Sequence, residues 1–168
     1  INHTSGQIYL RLGEKEKAVI FLSKAAELDP GNAQITRQLA TVYYDLGKTE
    51  ESIKTFEDAI SNEEDNSIKA DLYYNLGILN MQLGQFDTAE DNFLWANDLN
   101  PDDTEALLRM AQTFERAEKW RKAEKFYRNL IAEDPDVKDY YLGMVRVLMK
   151  QQKPDEAKRY LKKIEESR

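Results

Sequence analysis

The side chains of this sequence that could do chemistry are one histidine and many carboxylates. His3 is the only histidine, and the chain has no cysteine. Metal sites built on His or Cys need several such ligands, so the sequence argues against one. The sequence also lacks a Ser-His-Asp set and a glycine-rich phosphate loop. Nucleophilic and phosphoryl-transfer chemistry are therefore not indicated.

Paired carboxylates are the remaining catalytic candidates, since two of them can act as general acid and base on a glycosidic bond. Glu63, Glu64 and Asp65 stand in a row, but the chain contains 31 Asp and Glu residues. Neighbouring acids in such a chain are typical of a solvated surface. We predict that the protein is not an enzyme and holds no cofactor or metal.

The elements that position these residues repeat along the chain. A spacing of 34 positions recurs in four sets of identical residues: Pro101 and Pro135; Ala89, Ala123 and Ala157; Gly13 and Gly47; Tyr9 and Tyr43. Such a period predicts stacked copies of one small unit, each too small to bury its apolar face alone. A stack of this kind builds an extended surface rather than a closed pocket, which favours binding over catalysis.

Composition agrees with a helical, water-soluble chain. Of 168 residues, 33% are charged and 41% hydrophobic, with only 7 Gly and 4 Pro. No apolar run approaches 18 residues, so we expect no membrane insertion. The net charge of −7 argues against nucleic-acid binding, which needs a basic face. The absence of cysteine leaves the compartment open, with the cytoplasm favoured.

Residues 70–103 show how one unit is built. Apolar and small residues follow a helical spacing up to Gly84, which suits the left-handed position past a helix end. A second helical pattern then runs to Asn100-Pro101. Gly77 and Ala89 predict a close approach of the two helices, with Phe93 filling the neighbouring gap. The full pattern is Tyr73, Leu76, Gly77, Asn80, Gly84, Ala89, Phe93, Ala96 and Pro101.

This pattern resembles the tetratricopeptide-repeat (TPR) family. The resemblance implies an all-α fold, a right-handed superhelix of tandem antiparallel helix-turn-helix repeats. It covers the whole chain as a single solenoid over 1–168, with repeats at approximately 1–32, 33–66, 70–103, 104–137 and 138–168. It is specific for the fold and gives almost no information about the partner.

Two departures from the pattern carry structural predictions. The second and third units are spaced by 37 residues instead of 34, as Gly47 and Gly84 show. We assign the extra residues to a longer acidic loop near 61–69, with Asn66 or Ser67 capping the next helix. Glu118 and Gln152 replace glycine in the last two inner turns, which predicts looser or more strained turns there.

Both ends of the pattern are incomplete, so we expect the chain to be a fragment of a longer repeat array. The last helix carries Tyr160, Leu161 and Ile164 with no polar capping helix after it. The alternative is that this end pairs with another copy or a partner.

The resemblance implies that the first helix of each unit lines an inner, concave surface. The inward positions of the five units hold six bases and five acids, in a chain of net charge −7. Arginines, amides and apolar side chains there suit an extended peptide with acidic and apolar side chains. The alternative is that the arginines are solvated or paired with Glu115 and its neighbours. The predicted peptide-binding residues are Arg37, Gln38, Thr41, Tyr44, Asn75, Ile78, Arg109, Gln112, Arg116 and Arg146.

Some TPR domains clamp a partner's C-terminal carboxylates with residues at fixed positions. At those positions Arg37, Asn75 and Arg109 fit, Thr41 is a weak substitute and Glu105 has the wrong sign. A looser acidic-peptide site is therefore favoured over a true clamp.

Two tryptophans complete the set of candidates. Trp95 holds a position that is usually polar, so we expect it on the convex face, either as an interface anchor or folded along its own helix or over an acidic loop. Trp120 holds a turn position where aromatics are common, and we assign it to the core. The predicted function is a scaffold that binds a protein or peptide, and the alternative is a homo-oligomeric self-assembly module.

Overall fold

A computed structural model describes residues 1–166, which form ten helices and no strand. The helices fall into two compact units, the first spanning Ile1–Asn100 and the second beginning at Pro101. The first unit contains α1 (Asn2–Arg11), α2 (Lys15–Leu28), α3 (Ala33–Asp45), α4 (Thr49–Asn62), α5 (Asn66–Gln82) and α6 (Phe86–Leu99). The second contains α7 (Thr104–Arg116), α8 (Trp120–Glu133), α9 (Lys138–Lys150) and α10 (Pro154–Glu166).

Consecutive helices form five hairpins, one in each predicted repeat, which confirms the all-α helix-turn-helix prediction. In the first unit α2 packs on α3, α4 packs on α5, and the two first helices α3 and α5 also meet. In the second unit α8 packs on α9, and α7 meets α9. That the whole chain is one solenoid stays a prediction. Among the described residues, no helix is both long and apolar enough to cross a membrane.

Every hairpin turns at a residue in the left-handed conformation. Gly13, Gly47 and Gly84 have φ of 77°, 73° and 74°, and Glu118 and Gln152 take the same conformation with φ of 58° and 60°. Glycine adopts this region without steric cost, whereas a side chain is strained there. Of the two alternatives predicted for the last two turns, looser or more strained, the strained one is confirmed.

The turns share one hydrogen-bond pattern that ends the first helix. The residue after each left-handed position donates its N–H to the carbonyl five residues earlier, which is the Schellman arrangement. The five N···O distances lie between 2.8 and 3.0 Å. These bonds are Glu14 to Tyr9, Lys48 to Tyr43, Gln85 to Asn80, Lys119 to Phe114 and Lys153 to Leu148. The same local turn therefore aims each second helix back along the first.

Glycines, which have no side chain, let neighbouring helices approach closely. A Cβ atom added at Gly77 would lie 2.5 Å from Cε1 of Phe93, so α5 and α6 meet there as predicted. A Cβ atom added at Gly143 on α9 would overlap the ring of Tyr127 on α8, so these two helices of consecutive hairpins also lie close together. Phe93 and Tyr127 are both fully buried. Substitution of either glycine would force the helices apart or displace an aromatic ring.

The connection between the second and third hairpins differs from the prediction. α4 ends at Asn62 and α5 begins at Asn66, so the link holds only three residues and the predicted longer loop is wrong. The extra length lies in α5, which has 17 residues where α3 has 13. Asp65, and neither Asn66 nor Ser67, caps α5, because its carboxylate accepts from the backbone N–H groups of Ser67 (2.8 Å) and Ile68 (3.1 Å).

Candidate functional site

The predicted peptide-binding residues fall on the first helices of the hairpins, and several of them line two surface depressions. Each depression lies within one compact unit. The α3–α5 depression, in the first unit, has a volume of about 340 Å³. It is lined by Arg37, Thr41, Ser52, Phe56, Tyr74, Asn75, Ile78, Leu79 and Gln82.

Polar groups in the α3–α5 depression are partly satisfied within their own helices. Thr41 donates its hydroxyl to the Arg37 carbonyl (2.8 Å), and Asn75 donates its amide to the Asp71 carbonyl (2.7 Å). The Arg37 side chain is exposed and forms no ion pair within residues 1–166. Arg37 is therefore the cation that this depression offers to a ligand.

Two residues predicted for the same surface are engaged elsewhere. The Gln38 side-chain oxygen lies 2.8 Å from Nε2 of His3, which also lies 3.2 Å from the Gln7 amide. Tyr44 is half-buried and packs against the apolar cluster that α3, α4 and α5 share. Gln38 thus links α1 to α3, and Tyr44 contributes mainly to the core.

The α7–α9 depression, in the second unit, is larger, with a volume of about 780 Å³. Its apolar surface comes from Trp120, Val145 and Met149, and the Met149 side chain is 54% exposed. Charged and polar residues surround this apolar surface: Gln112, Glu115, Arg116, Arg146 and Lys150. Three bases against one acid make the depression electropositive.

The one acid of the α7–α9 depression already has its partners. Glu115 accepts from Nε of Arg146 (2.7 Å) and Nη2 of Arg146 (3.2 Å), and also from the hydroxyl of buried Tyr127 (2.7 Å). The two-point pairing is the strong geometry for a guanidinium and a carboxylate. Arg146, predicted to contact the peptide, is therefore ion-paired within the protein although its side chain is exposed, which is the alternative of pairing with Glu115.

Protonation equilibria in this network follow from its geometry. Burial raises the pKa of the Glu115 carboxyl, but the hydrogen bonds from Arg146 and Tyr127 outweigh it, and the net pKa lies below the ordinary value. The bond to Glu115 raises the pKa of the Arg146 guanidinium further. Burial and the same carboxylate raise the pKa of the Tyr127 hydroxyl. The ion pair is thus fully charged at neutral pH.

Trp120 was assigned to the core, and this assignment is wrong. Its indole is half-buried and forms a wall of the α7–α9 depression, with Nζ of Lys150 5.9 Å from the ring centroid. The residue opens α8 directly after the Glu118 turn, so its ring faces the ends of α7 and α9 rather than the interior. A tryptophan at a helix start beside the inner helices is the signal that sequence reasoning had and did not use.

Arg109 and the predicted interface residues lie apart from the two depressions. The Arg109 guanidinium is exposed on α7, 4.0 Å from Glu105 one turn away. Trp95 is 56% exposed on α6, and its ring is stacked with Tyr73 on α5 at 6.2 Å. It is therefore partly covered by a neighbouring helix rather than by its own.

On α10, Leu161 is 42% exposed, whereas Tyr160 and Ile164 are half-buried. The Tyr160 ring lies 6.1 Å from that of Tyr141 on α9.

A second acid, half-buried like Glu115, organises the other side of α8. Glu124 accepts from Arg128 (2.6 Å), Gln151 (2.8 Å) and Lys153 (3.1 Å), which ties α8 to the turn between α9 and α10. Burial raises the pKa of this carboxyl, and these three partners more than compensate, so the pKa is lowered. Within residues 1–166, no group of His, Cys, Asp and Glu is arranged to hold a metal ion.

Known families and structures match this arrangement. Two models of the tetratricopeptide repeat match the sequence, over residues 3–136 and 116–168. A search of curated proteins found no significant match.

Solved structures share the fold over almost the whole chain. A crystal structure of MamA is 23% identical, with a TM-score of 0.64 over 99% of this chain and 89% of its own. YrrB, described as a TPR protein with an unusual peptide-binding site, is also 23% identical, with a TM-score of 0.59 over 99% of this chain and 84% of its own.

A tetratricopeptide-repeat protein from Parabacteroides merdae ATCC 43184 is 22% identical, with a TM-score of 0.59 over 99% of this chain and 64% of its own. At these identities the likeness concerns the fold alone.

Proposed function

This chain belongs to the tetratricopeptide-repeat family, whose members are generally protein-interaction scaffolds, and we propose that it binds an extended segment of a partner protein. The segment carries acidic and apolar side chains and lies along the first helices of the hairpins in one compact unit. The proposal assigns no catalytic residue and no cofactor. The peptide-binding site named for YrrB supports the idea that a protein of this fold can bind peptides.

The observation that carries the proposal is the composition of the α7–α9 depression. The half-buried Trp120 and the exposed Met149 offer apolar surface, and Arg116 and Lys150 lie beside it. An apolar side chain of the ligand can bury itself against the indole and the thioether, while a neighbouring carboxylate meets the cations. Aromatic and arginine side chains are the residue types that dominate the energy of interfaces.

The internal ion pair decides which cation a ligand meets. Both oxygens of Glu115 accept hydrogen bonds from protein groups, and Arg146 donates two N–H groups to that carboxylate. Arg116 and Lys150 are therefore the proposed ligand-binding cations of this depression, and Arg146 is a positioning residue. Arg109 and Gln112 on α7 remain in the proposed set. In the first unit, Arg37, Thr41, Asn75 and Ile78 supply a second and smaller set.

Calorimetric titration with synthetic peptides tests this proposal. A peptide of alternating Glu and Leu should bind, and a peptide of the same length with Lys in place of Glu should not. The Arg116→Glu/Lys150→Glu variant should bind the acidic peptide at least about tenfold more weakly, because two attractive charges become repulsive. Equal affinity of the variant, or equal binding of the basic peptide, would overturn the proposal.

The matched control reverses two lysines outside the depression. Lys158 and Lys162 lie on α10 with side chains 76% and 75% exposed. The Lys158→Glu/Lys162→Glu variant changes the net charge by the same amount, so its affinity should stay close to that of the wild type at moderate salt. If this control lost as much affinity as the first variant, the effect would be due to the overall charge and not to the depression.

A second candidate function is self-association. Its supporting observation is exposed apolar surface away from the depressions, at Trp95 on α6 and Leu161 on α10. Isolated exposed apolar residues are common, but a large exposed tryptophan is a frequent interface anchor. The two candidates use different surfaces, so one protein can serve both.

A further inference from the structure

We propose that copies of this chain associate through two oppositely charged second-helix faces, the acidic face of α6 on one copy and the basic face of α8 on another. The inference rests on the second candidate function and names its surfaces. It is independent of peptide binding, because neither face includes a residue of the two depressions described above.

Charge is distributed very unevenly along the chain. Residues 1–100 contain 8 Lys and Arg against 17 Asp and Glu, a net charge of −9, whereas residues 101–168 contain 16 against 14, a net charge of +2. Between Lys69 and Arg109 the sequence has no base at all. The two compact units thus differ in the sign of their net charge.

The acidic α6 face is a single exposed stripe. Asp87, Asp91, Trp95 and Asp98 are spaced by four, four and three residues, so they lie on one side of the helix. All four are exposed, and the Trp95 side chain is 56% exposed. An indole on the same side of the helix as three carboxylates is an apolar contact point that favours cationic neighbours.

The basic α8 face is the corresponding stripe of the next repeat. Arg121, Lys125 and Arg128 are spaced by four and three residues and are exposed. Arg121 and Lys125 stand 34 residues after Asp87 and Asp91, so the same two positions of the motif carry opposite charges in the two helices.

The basic surface continues onto α10. Arg159 and Lys163 of α10 line a small depression together with Arg128 and Tyr160, with Glu156 as the acid among them. Glu124, which is half-buried on α8, accepts from Arg128 and from two groups of the following turn, so the basic α8 face relies mainly on Arg121 and Lys125.

Complementary charge selects the pairing. Contact of two α6 faces or of two α8 faces would place like charges opposite each other, which costs free energy. Contact of α6 with α8 places acidic side chains opposite basic ones, which is favourable. The guanidinium of Arg121 can also lie over the Trp95 ring. The occupant of the basic face is therefore a second copy, because the chain itself supplies the matching acidic stripe.

Charge reversal with mixing is the experiment that tests this pairing. The variant Asp87→Lys/Asp91→Lys makes both faces basic, and the variant Arg121→Glu/Lys125→Glu makes both faces acidic. Sedimentation velocity should show that each variant alone associates at least about tenfold more weakly than the wild type. An equimolar mixture should regain association, because each variant now offers the face that the other lacks.

Salt and a matched control complete the design. Raising the salt from about 0.1 M to about 1 M shortens the screening length from about 10 Å to about 3 Å, so the wild-type association should weaken at least about tenfold. The Glu57→Lys/Asp58→Lys variant changes two exposed acids of α4 by the same charge and should associate like the wild type. Circular dichroism of each variant verifies that the helices are retained.

The outcomes distinguish failure of self-association as a whole from failure of the α6–α8 pairing alone. A wild type that stays monomeric at high concentration and low salt overturns both self-association and this interface. Association that survives salt and both reversals leaves self-association standing but overturns the α6–α8 pairing. Loss in both variants without recovery in the mixture also overturns the pairing, since it points to a different acidic or basic partner surface.

Discussion

At the scale of single residues, Glu115 matters most for the candidate site. It is the one acid in an electropositive depression, and three donors from Arg146 and Tyr127 hold it. The position of Arg146 on an inner helix could be predicted from the repeat register. Its pairing could be stated only as one of two alternatives, because the choice depends on the distance between α7 and α9 and on the Tyr127 hydroxyl.

The pKa of Glu115 predicts how acid acts on stability. Because this pKa is lower in the folded protein, the carboxylate contributes stability above the ordinary value near about 4.3, and the contribution is lost as the pH falls through the folded pKa. Glu115→Gln should therefore cost about 1 kcal/mol at neutral pH, since Arg146 is partly solvated, and should lose less stability in acid than the wild type. Urea unfolding between pH 7 and pH 3 measures both effects.

The control for this prediction is Glu105→Gln. The Glu105 side chain is 80% exposed and 4.0 Å from its nearest guanidinium, so its stability curve should follow that of the wild type. If Glu115→Gln and Glu105→Gln gave the same curve, the Glu115 network would contribute nothing to folding.

At the scale of elements, the five inner turns are the same structure built with different residues. Three use glycine, and Glu118 and Gln152 adopt the left-handed conformation without it. The sequence was sufficient to predict these hairpins, because glycine, the Asx-Pro pairs and the small contact residues recur at fixed positions. It was insufficient for the start of α5, since a carboxylate cap at Asp65 competes with its polar neighbours and only the folded geometry decides.

The turns predict opposite effects for two substitutions. Gly47→Ala should lower the free energy of unfolding by about 1 kcal/mol, because alanine is strained at this φ while a Cβ atom there meets no heavy atom within 4 Å. Gln152→Gly should relieve the same strain and raise stability by up to about 1 kcal/mol, less the entropy that glycine gains in the unfolded chain. Urea unfolding of both variants against the wild type provides the measurement, and a loss of stability in Gln152→Gly would contradict this account.

At the scale of the whole molecule, the uneven charge is the dominant property. Residues 1–100 carry −9 and must hold that charge in one compact unit, so like charges repel there. Sequence counting alone reveals the asymmetry. Which acids form one exposed stripe follows from the helical register, and which bases are already neutralised, as Arg128 is by Glu124, requires the structure.

Screening of this repulsion should stabilise the protein. Raising the salt from about 0.01 M to about 0.1 M shortens the screening length from about 30 Å to about 10 Å, so the urea midpoint should rise. Asp87→Asn/Asp91→Asn should raise the midpoint at low salt and reduce the gain on adding salt. Urea is suitable because it leaves the ionic strength unchanged. A midpoint that falls as salt is added would show that attractive pairs outweigh the repulsion.

The two tryptophans have a practical consequence. Trp95 belongs to the first compact unit and Trp120 to the second, and the chain has no other indole. Replacing one of them by phenylalanine leaves a single intrinsic fluorophore in a known unit. Emission from Trp120 would then report events in the α7–α9 depression, and emission from Trp95 would report contacts on α6, so both proposed binding surfaces can be followed without an attached dye.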